Sequence, residues 1–164
     1  TVRDDIRVLR SDILGFNAPI KQMEGLYFYE DPRYSIMSVG INDMALIATG
    51  TVLSKAVAAT RLLEEAGVSV RLIDMHTIKP LDRDLILSAA REIGKIVTVE
   101  EHFLAGGLGS AIAELCSQEY PAKMKMIGID DLYASNGPYE QLIGKYGLQP
   151  DQIKETVIHF LTHN

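Results

Sequence analysis

The run Met44-Ala45-Leu46-Ile47-Ala48, closed by Gly50 and followed by Leu53, Ala56, Val57, Thr60 and Leu63, decides how this chain folds. Five consecutive apolar residues bounded by a glycine fit a strand covered on both faces, and such strands belong to parallel sheets. The next five recur at i, i+3, i+4, i+7 and i+10, the spacing of one apolar helix face, and Gly67 stops that helix. A buried strand leading into an amphipathic helix is the first half of a βαβ crossover.

The pattern repeats downstream. Residues 68–73 are rich in β-branched side chains and read as the next strand. Pro80 stops any helix before it, and Asp82 can cap a helix carrying Leu85, Ile86 and Ala89. Ile96-Val97-Thr98-Val99 is a third strand, running through Glu100-Glu101-His102 into Gly106-Gly107-Leu108-Gly109. A helix follows with Leu108, Ala111, Ile112, Leu115 and Cys116 on one side, and residues 123–129 alternate as a fourth strand. Two helices close the chain, over 138–145 and 150–161, the second with Asp151 in its first turn near the positive end of the helix dipole. This alternation predicts a three-layer α/β/α domain around a mostly parallel sheet of about five strands.

Residues 1–42 do not share the pattern. They contain Ala18-Pro19, Asp31-Pro32 and the aromatic cluster Tyr27-Phe28-Tyr29, with strands expected around residues 26–29 and 35–39. The chain therefore divides into an N-terminal segment of linker or edge strands, 1–42, and one α/β domain, 43–164. It opens on Thr1 rather than Met, as a fragment or a trimmed chain would.

Composition narrows the function classes. At 47% apolar and 23% charged residues the chain can build a core and is far from disorder. No apolar run approaches the ~18 residues that cross a bilayer, and the start lacks a secretory pattern, so no membrane partner is expected. The net charge of −6 and the scatter of Lys and Arg exclude a counterion-releasing patch for nucleic acid. Cys116 is the single cysteine and cannot form an internal disulfide, which fits a reducing cytoplasm. It falls on the apolar face of its helix and reads as a small core residue.

Two clusters could carry chemistry. Gly106-Gly107-Leu108-Gly109 stands between a strand and a helix, where free amides and the helix dipole can hold an anion. Its spacing is not the dinucleotide G-x-G-x-x-G, and Glu100 and Glu101 just before it would repel phosphate; a tight turn with close helix–sheet packing is the better explanation of the glycines. The second cluster is Glu100-Glu101-His102, at the C-terminal end of a parallel strand, where open α/β sheets place ligands. A carboxylate beside an imidazole can set up proton transfer, which makes His102 with Glu100 and Glu101 the one catalytic candidate; the alternative is a hydrogen-bonded loop packed on a partner. A metal site would need more ligands, and His76 is the only other candidate at a strand end. His159 and His163 belong to the wet end of the last helix. No cofactor-binding or metal-binding set is expected in this chain.

Three segments carry a family resemblance. They are Arg71-Leu72-Ile73-Asp74-Met75-His76-Thr77-Ile78-Lys79-Pro80-Leu81-Asp82; Val97-Thr98-Val99-Glu100-Glu101-His102 with Gly106-Gly107-Leu108-Gly109-Ser110-Ala111-Ile112-Ala113-Glu114; and Ser135-Asn136-Gly137 with Leu142-Ile143-Gly144-Lys145-Tyr146-Gly147-Leu148. In this order they resemble the C-terminal domain of transketolases, above all the separate C-terminal subunit of split transketolases, over about residues 43–162. Deoxyxylulose phosphate synthases and the beta subunits of 2-oxoacid dehydrogenases share the domain. The resemblance implies one antiparallel edge strand. It also implies an assembled, dimeric enzyme that transfers a two-carbon ketol unit between sugar phosphates. Thiamine diphosphate and Mg would sit on two other domains, or on a separate thiamine-binding N-terminal subunit. This chain alone would then be inactive and would serve oligomer contact and domain orientation, with Glu101, His102, Gly106, Gly107 and Gly109 as interface or loop candidates. Ile6-Arg7-Val8-Leu9-Arg10 is similar to the Arg-rich end of the family's pyrimidine domain, but residues 11–22 depart from it, so no phosphate role passes to Arg7 or Arg10. Those unmatched residues fit a second reading, a stand-alone binding or regulatory module that kept only the domain.

Overall fold

A computed structural model describes residues 42–133 and 135–163, together with the backbone of two short strands upstream. Contacts divide the chain into two units, Thr1–Gly40 and Ile41–Asn164, each treated by itself. In the first unit, β1 (Ile20–Met23) pairs antiparallel with β2 (Leu26–Tyr29), with Ile20 opposite Tyr29 and Met23 opposite Leu26. The β2 span is the one expected from the aromatic cluster, and β1 is an addition. The expected strand at 35–39 and the Arg7 and Arg10 segment lie outside the described residues.

The second unit is built on β3 (Met44–Ala48), whose five residues are all buried. A 3-10 turn over Gly50–Val52 leads into α1 (Leu53–Glu65), then β4 (Val70–Asp74), α2 (Arg83–Glu92), β5 (Lys95–Phe103), α3 (Leu108–Glu119) and β6 (Lys123–Ile129). The chain then closes with α4 (Tyr139–Lys145) and α5 (Pro150–Thr162). The sheet order is β4-β3-β5-β6 and every described pairing is parallel. The α/β class and the mostly parallel sheet are those read from the sequence, but among the described residues the sheet has four strands rather than about five, and neither edge strand, β4 or β6, is the antiparallel one that the resemblance implied.

Local signals act as their chemistry requires. Gly67 takes φ +83°, and the amides of Gly67 and Val68 turn back onto the carbonyls of Glu64 and Leu63 at 2.9 Å each, a Schellman closure that ends α1. Asp82 caps α2, its Oδ1 accepting from the Leu85 amide at 3.1 Å. At α5, Pro150 opens the helix and the Gln149 amide donates to Gln152 Oε1 at 3.2 Å, closing the first turn.

The strand order has one consequence for function. The chain passes from β3 to β4 on one side, then returns to place β5 on the other side of β3. Right-handed crossovers then put α1 on one face of the sheet and α2 and α3 on the other. Ala45, Ile47, Ile73 and Ile96 meet Ile86, Leu87, Ala90, Leu108, Ile112 and Cys116 on the α2/α3 side. Met44, Leu46, Val97 and Val99 alternate with them and are equally buried, on the side where α1 packs along β3, β4 and α5. Cys116 lies in this core, and burial pushes its thiol above the ordinary range. The loops after β3 and β5 diverge to opposite faces, which opens a crevice between them at the C-terminal ends of the strands.

Candidate functional site

The crevice at this switch point encloses about 400 Å³. It is lined by Thr49, Gly50 and Thr51 from the turn after β3, Ile78 from the loop after β4, and Glu100, Glu101, His102, Gly106 and Gly107 from β5 and its loop. The two clusters singled out from the sequence are thus brought into one place.

Glu100-Glu101-His102 belongs to the strand itself, since β5 extends to Phe103 rather than ending at Val99. Between the pairs Val99–Ile127 and Phe103–Ile129, β5 advances four residues while β6 advances two. A bulge of this kind breaks alternation and re-aims side chains. Exposure changes within the same stretch: residues 95–100 of the strand are buried or half-buried, whereas Glu101, His102 and Phe103 are all exposed.

Glu100 is 0% exposed and points under the helix instead of into solvent. Its Oε2 accepts from the Leu108 amide at 2.7 Å and its Oε1 from the Gly109 amide at 2.8 Å, two of the donors that a helix start leaves unpaired. The glycines make room for it. A Cβ on Gly107 would collide with Glu100 Oε2, and one on Gly109 would stand 2.5 Å from the Met126 sulfur. Gly106 takes φ +80°, and its amide donates to Ser110 Oγ, which in turn donates to the Leu104 carbonyl at 2.7 Å. The close contacts at Gly107 and Gly109 favour the packing reading, and the anion at the helix end is the chain's own carboxylate.

Glu101 lies on the wet side. Its Oε2 accepts from Thr51 Oγ1 at 2.6 Å and from the Tyr139 hydroxyl at 3.0 Å, tying the turn after β3 to the start of α4. Burial pushes the Tyr139 hydroxyl upward, and the Glu101 carboxylate adds to that. Beside them Lys55 Nζ pairs with Glu140 at 2.8 Å, and the Lys55 and Gln149 donors hold the Glu140 carboxyl below its usual range. These partners, from elements 38 to 50 residues away from Glu101, were not legible in the sequence.

His102 does not meet either carboxylate. Its Nδ1 lies 2.9 Å from the Phe103 carbonyl and its ring stands edge-on to Phe103, with centroids 6.0 Å apart. His76 is exposed and acts on Asp74, whose carboxyl is raised by burial and lowered in part by His76. Among the described residues no group of three or more His, Cys, Asp or Glu could hold a metal ion. His159 and His163 stack on each other at the end of α5, far along the chain from the crevice.

The third segment has a structural job. The Ser135 amide donates to the Tyr146 hydroxyl at 2.8 Å and Lys145 Nζ meets Ser135 Oγ, which fastens the loop after β6 onto α4.

A four-stranded parallel sheet with a switch-point crevice, a self-capped glycine turn and helices on both faces defines an α/β domain of the doubly wound type. The family follows from comparison with known proteins. The transketolase C-terminal domain model matches residues 36–153, and the chain belongs to that family. It is 39% identical over 119 residues to one of the subunits of an apulose-4-phosphate transketolase from Phocaeicola vulgatus, covering 73% of this chain and 38% of the relative. It is 36% identical over 181 residues to a 1-deoxy-D-xylulose-5-phosphate synthase of Syntrophotalea carbinolica, covering 99% of this chain and 28% of the relative. Among solved structures it is similar to a split gene transketolase described as an inactive beta4 tetramer, with TM-score 0.70 and 38% identity, over 75% of this chain and 40% of the other. The chain therefore spans well under half the length of these relatives. Among the described residues no helix is long and apolar enough to cross a membrane.

Proposed function

We propose that this chain is the C-terminal, non-catalytic part of a transketolase-type enzyme that moves a two-carbon ketol unit between sugar phosphates, as in pentose phosphate metabolism in the cytoplasm. The observation that carries this reading is the 38% identity with a split transketolase over three quarters of the chain, at TM-score 0.70. Family membership implies thiamine diphosphate with Mg²⁺ in the assembled enzyme.

The described residues do not fit that group. A diphosphate needs a free seat of amides or cations, and Mg²⁺ needs convergent oxygen ligands. The amides of Leu108 and Gly109 are already taken by Glu100, and the crevice lining contains no Lys or Arg. The domain's own work is then contact: Glu101, His102 and the turn at Gly106, Gly107 and Gly109 meet a partner subunit or the thiamine-binding domains. Exposed Ile78, Phe103 and Tyr139, all in or next to the loops at the C-terminal ends of the strands, supply the apolar part of that surface. The assembly is a homodimer, or a complex with a separate thiamine-binding subunit, and the catalytic carboxylate comes from outside this chain.

The test is reconstitution. Mixing the full chain with a thiamine-binding transketolase subunit, thiamine diphosphate and Mg²⁺ should produce ketol transfer that neither protein gives alone. Absence of both complex formation and activity would count against the reading.

A second reading has an observation of its own. The similarity to a deoxyxylulose phosphate synthase runs over 99% of the chain, so the equivalent domain of that enzyme is the alternative. The same assay with pyruvate and glyceraldehyde 3-phosphate as substrates separates the two. The stand-alone module reading rests on residues 11–22 lacking a counterpart, and a similarity spanning nearly the whole chain weakens that support.

A further inference from the structure

We propose that Glu100 is an internal ligand: its carboxylate occupies the place at the N-terminus of α3 where α/β domains of this type seat a phosphate, and it closes that place to phosphorylated molecules. Every feature of an anion seat is present. The turn is glycine-led, the helix of 12 residues starts directly beyond a strand of a parallel sheet, and its N-cap residue Gly107 has no side chain to offer. No acidic residue stands in the first turn of α3 to answer the dipole. The answering charge comes from eight and nine residues upstream, with one oxygen on each of two successive amides.

Burial makes the arrangement specific. Glu100 is fully buried, and among the described residues no ion pair involves it, so the two amides and the helix dipole are its counterweight. The glycines complete the fit, since a Cβ at Gly107 would lie 2.7 Å from the Glu100 carboxyl carbon and 2.8 Å from the Phe103 carbonyl. The seat thus has the size of one carboxylate held from below by the strand. A phosphate approaching through the crevice meets occupied amides, the charge of Glu100 and the exposed charge of Glu101.

The proposal is tested on the full chain with small anions as probes. Glu100→Ala removes a group the size of acetate. Its thermal midpoint should lie below that of the wild type and rise with the logarithm of acetate concentration, while acetamide has no effect and the wild type responds to neither. Inorganic phosphate should leave the Leu108 and Gly109 amide resonances of the wild type unmoved. Should Glu100→Ala fail to fold, Glu100→Gln keeps the shape and removes the charge, and hydrogen exchange at the Leu108 and Gly109 amides should quicken by about tenfold or more. The proposal is overturned if acetate and acetamide act alike on the alanine variant, if phosphate moves those two amides in the wild type, or if exchange in Glu100→Gln matches the wild type.

Discussion

Glu100 and Glu101 are neighbours in the chain and lie in opposite environments. Glu100 is sealed beneath α3 and spends both oxygens on backbone amides, whereas Glu101 stands in solvent and shares one oxygen between two hydroxyls from distant elements. Strand alternation makes the difference: Glu100 keeps the face of Thr98 beneath α3, and Glu101 falls on the opposite side, where the strand runs out of cover within its register shift against β6. One carboxylate therefore holds the domain together, and the next is left for the surface. The same division holds around them: a closely packed glycine turn below, and a wet rim of Thr51, Tyr139, Lys55 and Glu140 above.

That contrast can be broken from the buried side first. Gly107→Ala should be the most damaging change, costing about 3 kcal/mol or more in urea unfolding, because overpacking and the loss of two charge-assisted hydrogen bonds act together. Its φ of −90° is open to any residue, so the loss comes from the clash with Glu100 and not from backbone strain. Glu100→Gln should cost about 2 kcal/mol, as expected for a hydrogen-bonded charge turned neutral. Gly67→Ala should cost about 1 kcal/mol through its left-handed φ, which gives a scale for a strained position far from the site. Glu101→Gln should fall within ~0.5 kcal/mol of the wild type, since its bonds are exposed. A loss as large as that of Glu100→Gln would mean the rim is structural too.

The smallest effect is a dependence on pH. Burial raises the Asp74 carboxyl above its unfolded value, so the folded state binds its proton more tightly than the unfolded one. The ionised form is the disfavoured one in the fold, and stability is lost as pH rises through the window from the ordinary Asp range upward. Asp74→Asn should therefore raise the urea midpoint slightly at neutral pH and leave it unchanged below the ordinary Asp range. An equal rise at both pH values would remove ionisation as the cause.

Much of the fold was legible because it depends on short-range patterns. The apolar runs mark β3 and β6, and the caps at Gly67 and Asp82 work as read. The site was legible only in part. Glu100, Glu101 and His102 line one crevice with Gly106 and Gly107, yet the three side chains share no hydrogen bond with one another. What the sequence hid was where the cover of β5 ends, since the register shift after Val99 depends on how β6 pairs with β5 and not on either strand alone. A usable sign was present: Glu100 follows Thr98 on one face of an otherwise apolar strand, just ahead of two glycines that a helix start does not itself require. The partners of Glu101 come from α4 and from the turn after β3, and contacts of that range leave no local mark.

The central claim is that this domain of the transketolase family leaves cofactor binding to other parts of the enzyme. Titration calorimetry of the full 164-residue chain with thiamine diphosphate and Mg²⁺ tests it most directly. The account predicts no saturable heat, and saturable binding at micromolar affinity would contradict it.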